Sequence, residues 1–207
     1  MKNAKHAISI FALAAAFGQN PNMSRPQFAG VDYGHQTSVD SSLVNAPGTE
    51  LQIYYCPRAE FLSLKDVQTV TAIDDYGIIG TAHTFATGKG FYKLRVEMAD
   101  NRVKHEKQDA KTGGAWKNSA TFFVRGNSDT LRGTVHQLSN DDPIFLIPLK
   151  DGTIAQIGGA HSECEVKPHF DSLDDNSTEK RGWMFEISAV DKYPLYYGSA
   201  LTITYHT

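Results

Sequence analysis

Beyond residue 50 the chain alternates apolar and polar positions with a period of two, the pattern of strands with one buried face. Leu51, Ile53 and Tyr55 alternate with Gln52 and Tyr54, predicting a short strand ended by Pro57. Phe91 to Met98 is clearer: Tyr92, Leu94, Val96 and Met98 share one face, and Lys93, Arg95 and Glu97 the other. Its expected partner is Ala115 to Arg125, with Ala120, Phe122 and Val124 inward. The charged stretch Ala99 to Gly114 between them exceeds a hairpin loop of about 2–5 residues and is expected to project from the sheet. Ile144 to Leu149 and Thr153 to Ile157 flank Asp151-Gly152, a good hairpin signal because glycine tolerates positive φ. In a second hairpin, Cys164, Val166 and Phe170 alternate with Glu163, Glu165, Lys167 and His169. The loop Asp171 to Gly182 leads to a return strand with Trp183, Phe185, Ile187 and Ala189 on one side. Leu201 to Tyr205 is expected to close the sheet.

The period changes to helical once with conviction. Asn127 or Ser128 can cap a helix in which Leu131, Val135 and Leu138 fall on one face, and Ser139 to Pro143 stops it. Phe61, Leu64 and Val67 also have helical spacing, so Glu60 to Val70 is read as a short helix or turn. Tyr76 to Gly90 is read as loop or irregular strand. The sum is an α+β fold, mostly antiparallel β: a β-sandwich or partial barrel with one inserted helix and a long projecting loop.

Two segments precede this body. Residues 1–20 join a basic opening (Lys2, Lys5, His6) to an apolar, Ala-rich stretch. That outline fits both a secretory signal peptide and a short helix. Residues 21–47 are rich in Pro, Asn, Gln, Gly and Ser with apolar residues scattered singly, an extended arm without its own core and suited to lying on a neighbouring subunit. Residues 48–207 form the β-sandwich domain.

Composition narrows the function classes. Of 207 residues, 41% are hydrophobic and 21% charged, enough for a packed core, and the formal charge of −3 supplies no broad basic field for gripping nucleic acid. Cys56 and Cys164 cannot build a disulfide framework and lack metal-ligand spacing. No apolar run reaches the roughly 18–20 residues of a membrane span.

Candidate chemistry is sparse. His161, Glu163, Glu165, His169 and Asp171 would share a strand face and could approach a divalent metal, but a solvated polar face explains them more simply. There is no G-x-S-x-G elbow and no phosphate-binding glycine frame around Gly88-Lys89-Gly90. Asp74-Asp75, Asp141-Asp142 and Asp174-Asp175 sit beside turn formers and are read as turn residues. No catalytic, cofactor or metal site is expected, and the chain is read as a non-enzyme. Arg102, Lys104, His105, Lys107 and Lys111 are interrupted by Glu106 and Asp109 and lack an aromatic for base stacking, so a solvated or subunit-facing loop is favoured.

The order strand, projecting loop, partner strand, helix from Ser128 to Leu138, two hairpins and closing strand resembles the tail tube (major tail) proteins of long-tailed bacteriophages. It is also similar to the related tubes of contractile injection systems and type VI secretion. The stretch Asp151-Gly152 through Gly158-Gly159, then Arg181-Gly182-Trp183-Met184-Phe185, carries the resemblance, which spans Phe91 to Thr207. It implies a virion protein forming hexameric rings whose sheets join into one inner barrel. Stacked rings, with other tail proteins, would conduct double-stranded DNA during ejection without binding it specifically. It further implies an inter-ring loop carrying Arg102, Lys104, Lys107 and Lys111, and lumen-facing candidates Glu97, Glu163 and Glu165. The competing expectation is an exported β-sandwich that binds a carbohydrate or surface partner, with Trp116, Tyr196 and Tyr197 as contacts.

Overall fold

The computed structural model of the protein describes residues 48–72, 75–97, 101–108, 114–172 and 181–203. The signal-like segment, the arm, Met98, Asp74, Lys111, Asp174-Asp175 and the end of the expected closing strand lie outside those residues. The strands are β1 (Gln52–Pro57), β2 (Phe61–Ser63), β3 (Ile78–Ile79), β4 (Thr84–Phe85), β5 (Tyr92–Arg95), β6 (Arg102–Lys107), β7 (Trp116–Arg125), β8 (Pro143–Pro148), β9 (Ile154–Ile157), β10 (Glu165–Asp171), β11 (Gly182–Asp191) and β12 (Leu195–Tyr197). One helix, α1 (Asp129–Asn140), lies between β7 and β8. A six-stranded sheet has the order β3-β12-β9-β8-β1-β5, a four-stranded sheet the order β10-β11-β7-β6, and β2 pairs with β4 alone. All ladders are antiparallel except β12 with β3.

The two large sheets enclose the main core. Ile53, Phe145, Ile147 and Ile157 of the six-stranded sheet meet Ala120, Phe122, Val124, Phe185 and Ile187 of the four-stranded one. Phe122 and Phe185 stack with centroids 5.1 Å apart. The opposite face of the six-stranded sheet carries a second core, in which Cys56, Ile79, Leu146 and Tyr197 surround Phe91 and the β2–β4 ribbon contributes Phe61 and Phe85. Central β8 therefore reads as an unbroken apolar run, because both of its faces are covered.

Helix α1 forms as its sequence requires. The Ser128 hydroxyl accepts the Leu131 N–H at 3.2 Å, and Val135 and Leu138 are buried in the main core. Gly133 on this helix has no atom within 4 Å of where a Cβ would sit. Gly133→Ala should therefore raise stability by about 1 kcal/mol, read as a higher urea midpoint at unchanged slope.

Four expectations are corrected. Phe91 to Glu97 does not form a ladder with Ala115 to Arg125, which it meets through the Glu97 N–H on the Phe123 carbonyl: β5 pairs with β1, and β7 lies between β11 and β6. The stretch expected to project as a loop instead holds β6, which makes a hairpin with β7. Glu60 to Val70 contains no α-helix; a 3₁₀ turn over Arg58–Glu60 leads into β2, and Phe61 from that strand and Val67 from the irregular segment after it both reach the second core. Among the described residues the last strand is β12; of the expected strand Leu201 to Tyr205, the described part reaches Ile203, which makes an isolated bridge to Phe91.

Candidate assembly surface

The margins of the two large sheets are finished differently. On the six-stranded sheet the outer side of β3 is met by Gln68, whose N–H donates to the Ile78 carbonyl at 3.0 Å. The outer side of β5 is met at one end by Thr202, whose carbonyl accepts the Phe91 N–H at 2.9 Å. At its other end the Glu97 N–H donates to the Phe123 carbonyl at 2.9 Å, so the chain passes there from one sheet to the other. On the four-stranded sheet, by contrast, β10 pairs only with β11 and β6 only with β7 among the described residues. Two open margins of similar length, seven residues and six, therefore flank this sheet. An open strand edge is a template for another chain.

The face of this sheet turned away from the core is polar and of mixed charge. Arg102, Lys104 and Glu106 on β6, Lys117 and Arg125 on β7, Glu186 on β11, and Glu165, Lys167, His169 and Asp171 on β10 are all exposed. Lys167 stands opposite Glu186, and Glu106 opposite Lys117. Lys104 pairs with Glu106, and Lys167 with Glu165 at 3.0 Å. The Lys104 ammonium holds the Glu106 carboxyl below the usual carboxylate range. Apolar side chains interrupt this face at three points: Phe123 is buried, Met184 opposite it is half-buried, and Val190 opposite Lys117 is exposed.

The sequence-derived site residues are therefore only partly brought together. Arg102, Lys104 and Lys107 lie on β6, an edge strand, rather than on a loop; Lys111 is outside the described residues. Glu165 is on the polar face, and Glu163 is exposed just before β10. Glu97 is half-buried beside β7, with β11 between it and β10, so the three carboxylates do not form one acidic patch. His161 meets Asp66 at 3.1 Å on the wall of an open cavity of about 490 Å³, and does not gather with Glu163 and His169. No group of three or more His, Cys, Asp or Glu that could hold a metal occurs among the described residues. Likewise no described helix is long and apolar enough to cross a membrane. Trp116, Tyr196 and Tyr197 make no exposed platform: Tyr197 is buried with its hydroxyl donating to the Ala200 carbonyl at 3.0 Å, and the Tyr196 ring rests on His105.

The remaining polar groups hold loops. The Asp75 carboxylate accepts from Thr71 N–H and Oγ1, Ala72 N–H and Gln68 Nε2, and these hydrogen bonds, Thr71 first, lower its pKa to about 2. Cys56 and Cys164 are buried thiols; burial, with Glu60 nearby, pushes Cys56 up to about 12, and burial raises Cys164 as well. Both are inert packing residues. Sequence reasoning missed Arg58, whose guanidinium reaches Asp142 and the carbonyls of Gly159 and Ser162. A lone arginine after a proline carries no pattern that could have revealed it.

Among the described residues, His83 is the one fully enclosed imidazole. Its Nδ1 accepts the Lys65 N–H at 3.0 Å, so the proton sits on Nε2, which donates to Gln156 Oε1 at 3.1 Å. Burial lowers its pKa below the ordinary 6.5, because protonation would both bury a charge and break the Lys65 bond. The unfolded chain takes up that proton first, so this contribution is full above about pH 6.5 and is lost as pH falls towards the folded value. Urea midpoints should fall on acidification from pH 7.5 to 5.5. The fall should be smaller in His83→Gln, which keeps a donor and an acceptor but does not titrate.

Comparison with protein-family models, curated proteins and solved structures gave no match.

Proposed function

We propose that the protein is a structural subunit that assembles with copies of itself into rings, and that stacked rings form a tail tube of the phage type. The observation that carries this reading is the four-stranded sheet, whose outer face is mainly polar and whose two margins take no further strand among the described residues, whereas the margins of the other large sheet are met by Gln68 and Thr202. Joining such sheets around a ring removes every open edge and turns the polar face towards a channel. Carboxylates are interspersed among the cations on that face, so it offers a passing DNA duplex no continuous row of cations to bind. In this reading the ring is hexameric, as the resemblance implies, the site of action is the virion, and the partners are other copies, other tail proteins and transiting DNA. No catalysis or cofactor enters.

Electron microscopy and light scattering of the purified full chain test this. Rings or tubes are the expected result. A chain that stays monomeric up to millimolar concentration, with neither rings nor tubes on grids, overturns the reading.

A further inference from the structure

The two open margins carry opposite charge. Strand β6 holds three cations, Arg102, Lys104 and Lys107, against one carboxylate, Glu106. The stretch from Glu163 to Asp171 holds three carboxylates, Glu163, Glu165 and Asp171, against one ammonium, Lys167. Pairing β6 with β6, or β10 with β10, sets like net charge against like, whereas β6 against β10 sets opposite charges together. The sheet order also fixes the direction of such a seam. With four antiparallel strands in the order β10-β11-β7-β6, the outer two run in opposite directions. A copy placed alongside by rotation, without inversion, then brings its β10 antiparallel to β6.

We infer that a second copy docks through β10 on β6 in one register: Arg102 opposite Asp171, Lys104 opposite His169, and Glu106 opposite Lys167 of the neighbour. This deepens, and rests on, the self-assembly reading above. Side-chain alternation requires the polar positions of both strands to share a face, which leaves only registers two residues apart. Shifting β10 by two in one direction sets Lys104 against Lys167 and Glu106 against Glu165, two repulsive pairs. Shifting it the other way sets Lys104 against Asp171 and Glu106 against His169 but carries Arg102 past the end of β10, so only the inferred register seats all six residues of β6 on that strand. In the inferred register Val103 also faces Phe170 on the inner side; both are half-buried in the single chain.

Backbone direction agrees with this placement. The Gln108 N–H donates to the Ala115 carbonyl, so the N–H groups of Val103, His105 and Lys107 point to the open side of β6. A proline within a paired strand is accommodated with its nitrogen on the solvent side, which places Pro168 opposite His105 and leaves the seam one hydrogen bond short. The alternating charges supply the register that this gap would otherwise loosen.

Cysteine pairs test the register in the full chain. Directly opposite residues lie about 4.5–5.5 Å apart between Cα atoms, within disulfide reach, and diagonal ones about 7–8 Å, beyond it. Within one chain, Lys104 and His169 are three strand spacings and four residues apart, about 19 Å, so no internal bridge competes. The native cysteines are buried. All substituted side chains are exposed, and melting curves matching the wild type would verify folding. Under mild oxidation Lys104→Cys/His169→Cys should give a ladder of covalent multimers on a non-reducing gel, and Lys104→Cys/Lys167→Cys should not. Lys167→Glu should raise the concentration needed for assembly severalfold, and adding Glu106→Lys should restore it. If assembly is seen by light scattering but the first pair stays unlinked, or the second pair links, the register is overturned while self-assembly stands. Dimers from Lys104→Cys alone would mean a two-fold β6 seam and also overturn it. Absence of any assembly in the wild type overturns both readings together.

Discussion

Arg58→Ala should cost about 3 kcal/mol of stability, the largest loss from any single charged residue described here. The guanidinium stands at a junction of three segments. Its Nη2 donates to the Gly159 carbonyl at 2.8 Å and the Ser162 carbonyl at 2.6 Å, and its Nε to the Asp142 carboxylate. Asp142 in turn accepts the Cys164 N–H at 2.7 Å, and its carbonyl accepts the Arg58 N–H at 3.0 Å. The end of β1, the start of β8 and the connection into β10 are thus tied through one side chain. Truncation leaves two carbonyls and a partly buried carboxylate without their donor, which is why the cost exceeds that of an ordinary surface pair. Arg58→Lys should recover only part of the loss, because a point charge cannot reproduce the fork. Arg132→Ala is the control: its partner Asp129 has a side chain 93% exposed, so the change should stay within about 0.5 kcal/mol. Urea unfolding measures all three, and an Arg58→Ala loss no larger than that of Arg132→Ala would refute the junction.

What the sequence made legible is what short-range pattern encodes. The Ser128 cap and the spacing of Leu131, Val135 and Leu138 define α1 without help from the rest of the chain. Asp151-Gly152 defines the β8–β9 hairpin for the same reason, with Gly152 at φ +89° and the Asp151 carboxylate accepting the Thr153 N–H. Alternation also identified β10 and β11 and their inward residues. It tells which face of a strand is buried, however, and not which strand lies beside it. The Phe91 strand and the Ala115 strand both alternate, yet the chain leaves β5 near Glu97 and crosses to the other sheet, where β6 takes the place beside β7. β6 was hidden because an edge strand buries little: of its inward positions only Val103 is apolar, followed by His105 and Lys107. β12 is three residues long, too short for a period to register. The candidate surface had the same limit. The charges of β6 and β10 are plain in the sequence, but their opposition across two open margins exists only once sheet order places them at the ends of one sheet.

Gly77→Ala should rank with Arg58→Ala, at about 3 kcal/mol or more, and for a reason that no contact list of the native side chains contains. Gly77 has φ +75°, a conformation costing an L-residue about 1–2 kcal/mol, and a Cβ added there would sit 1.9 Å from the Pro194 carbonyl oxygen. That oxygen belongs to the backbone and cannot swing aside as a side chain would. Gly88→Ala separates the two costs, because Gly88 has nearly the same φ, +74°, and no atom within 4 Å of the new Cβ. It should lose only the conformational part, and equal losses in both variants would refute the steric argument. The Gly77 carbonyl accepts the Tyr196 N–H at 2.8 Å, so forcing Pro194 away pulls β12 from β3. Hydrogen exchange should therefore quicken first at Tyr196 and Gly198, whose N–H groups close that ladder. The Tyr196 ring also supports His105 from beneath β6, with centroids 5.4 Å apart. A change at Gly77, on the far margin of the other sheet, should for that reason loosen the β6 edge and weaken assembly as well as folding.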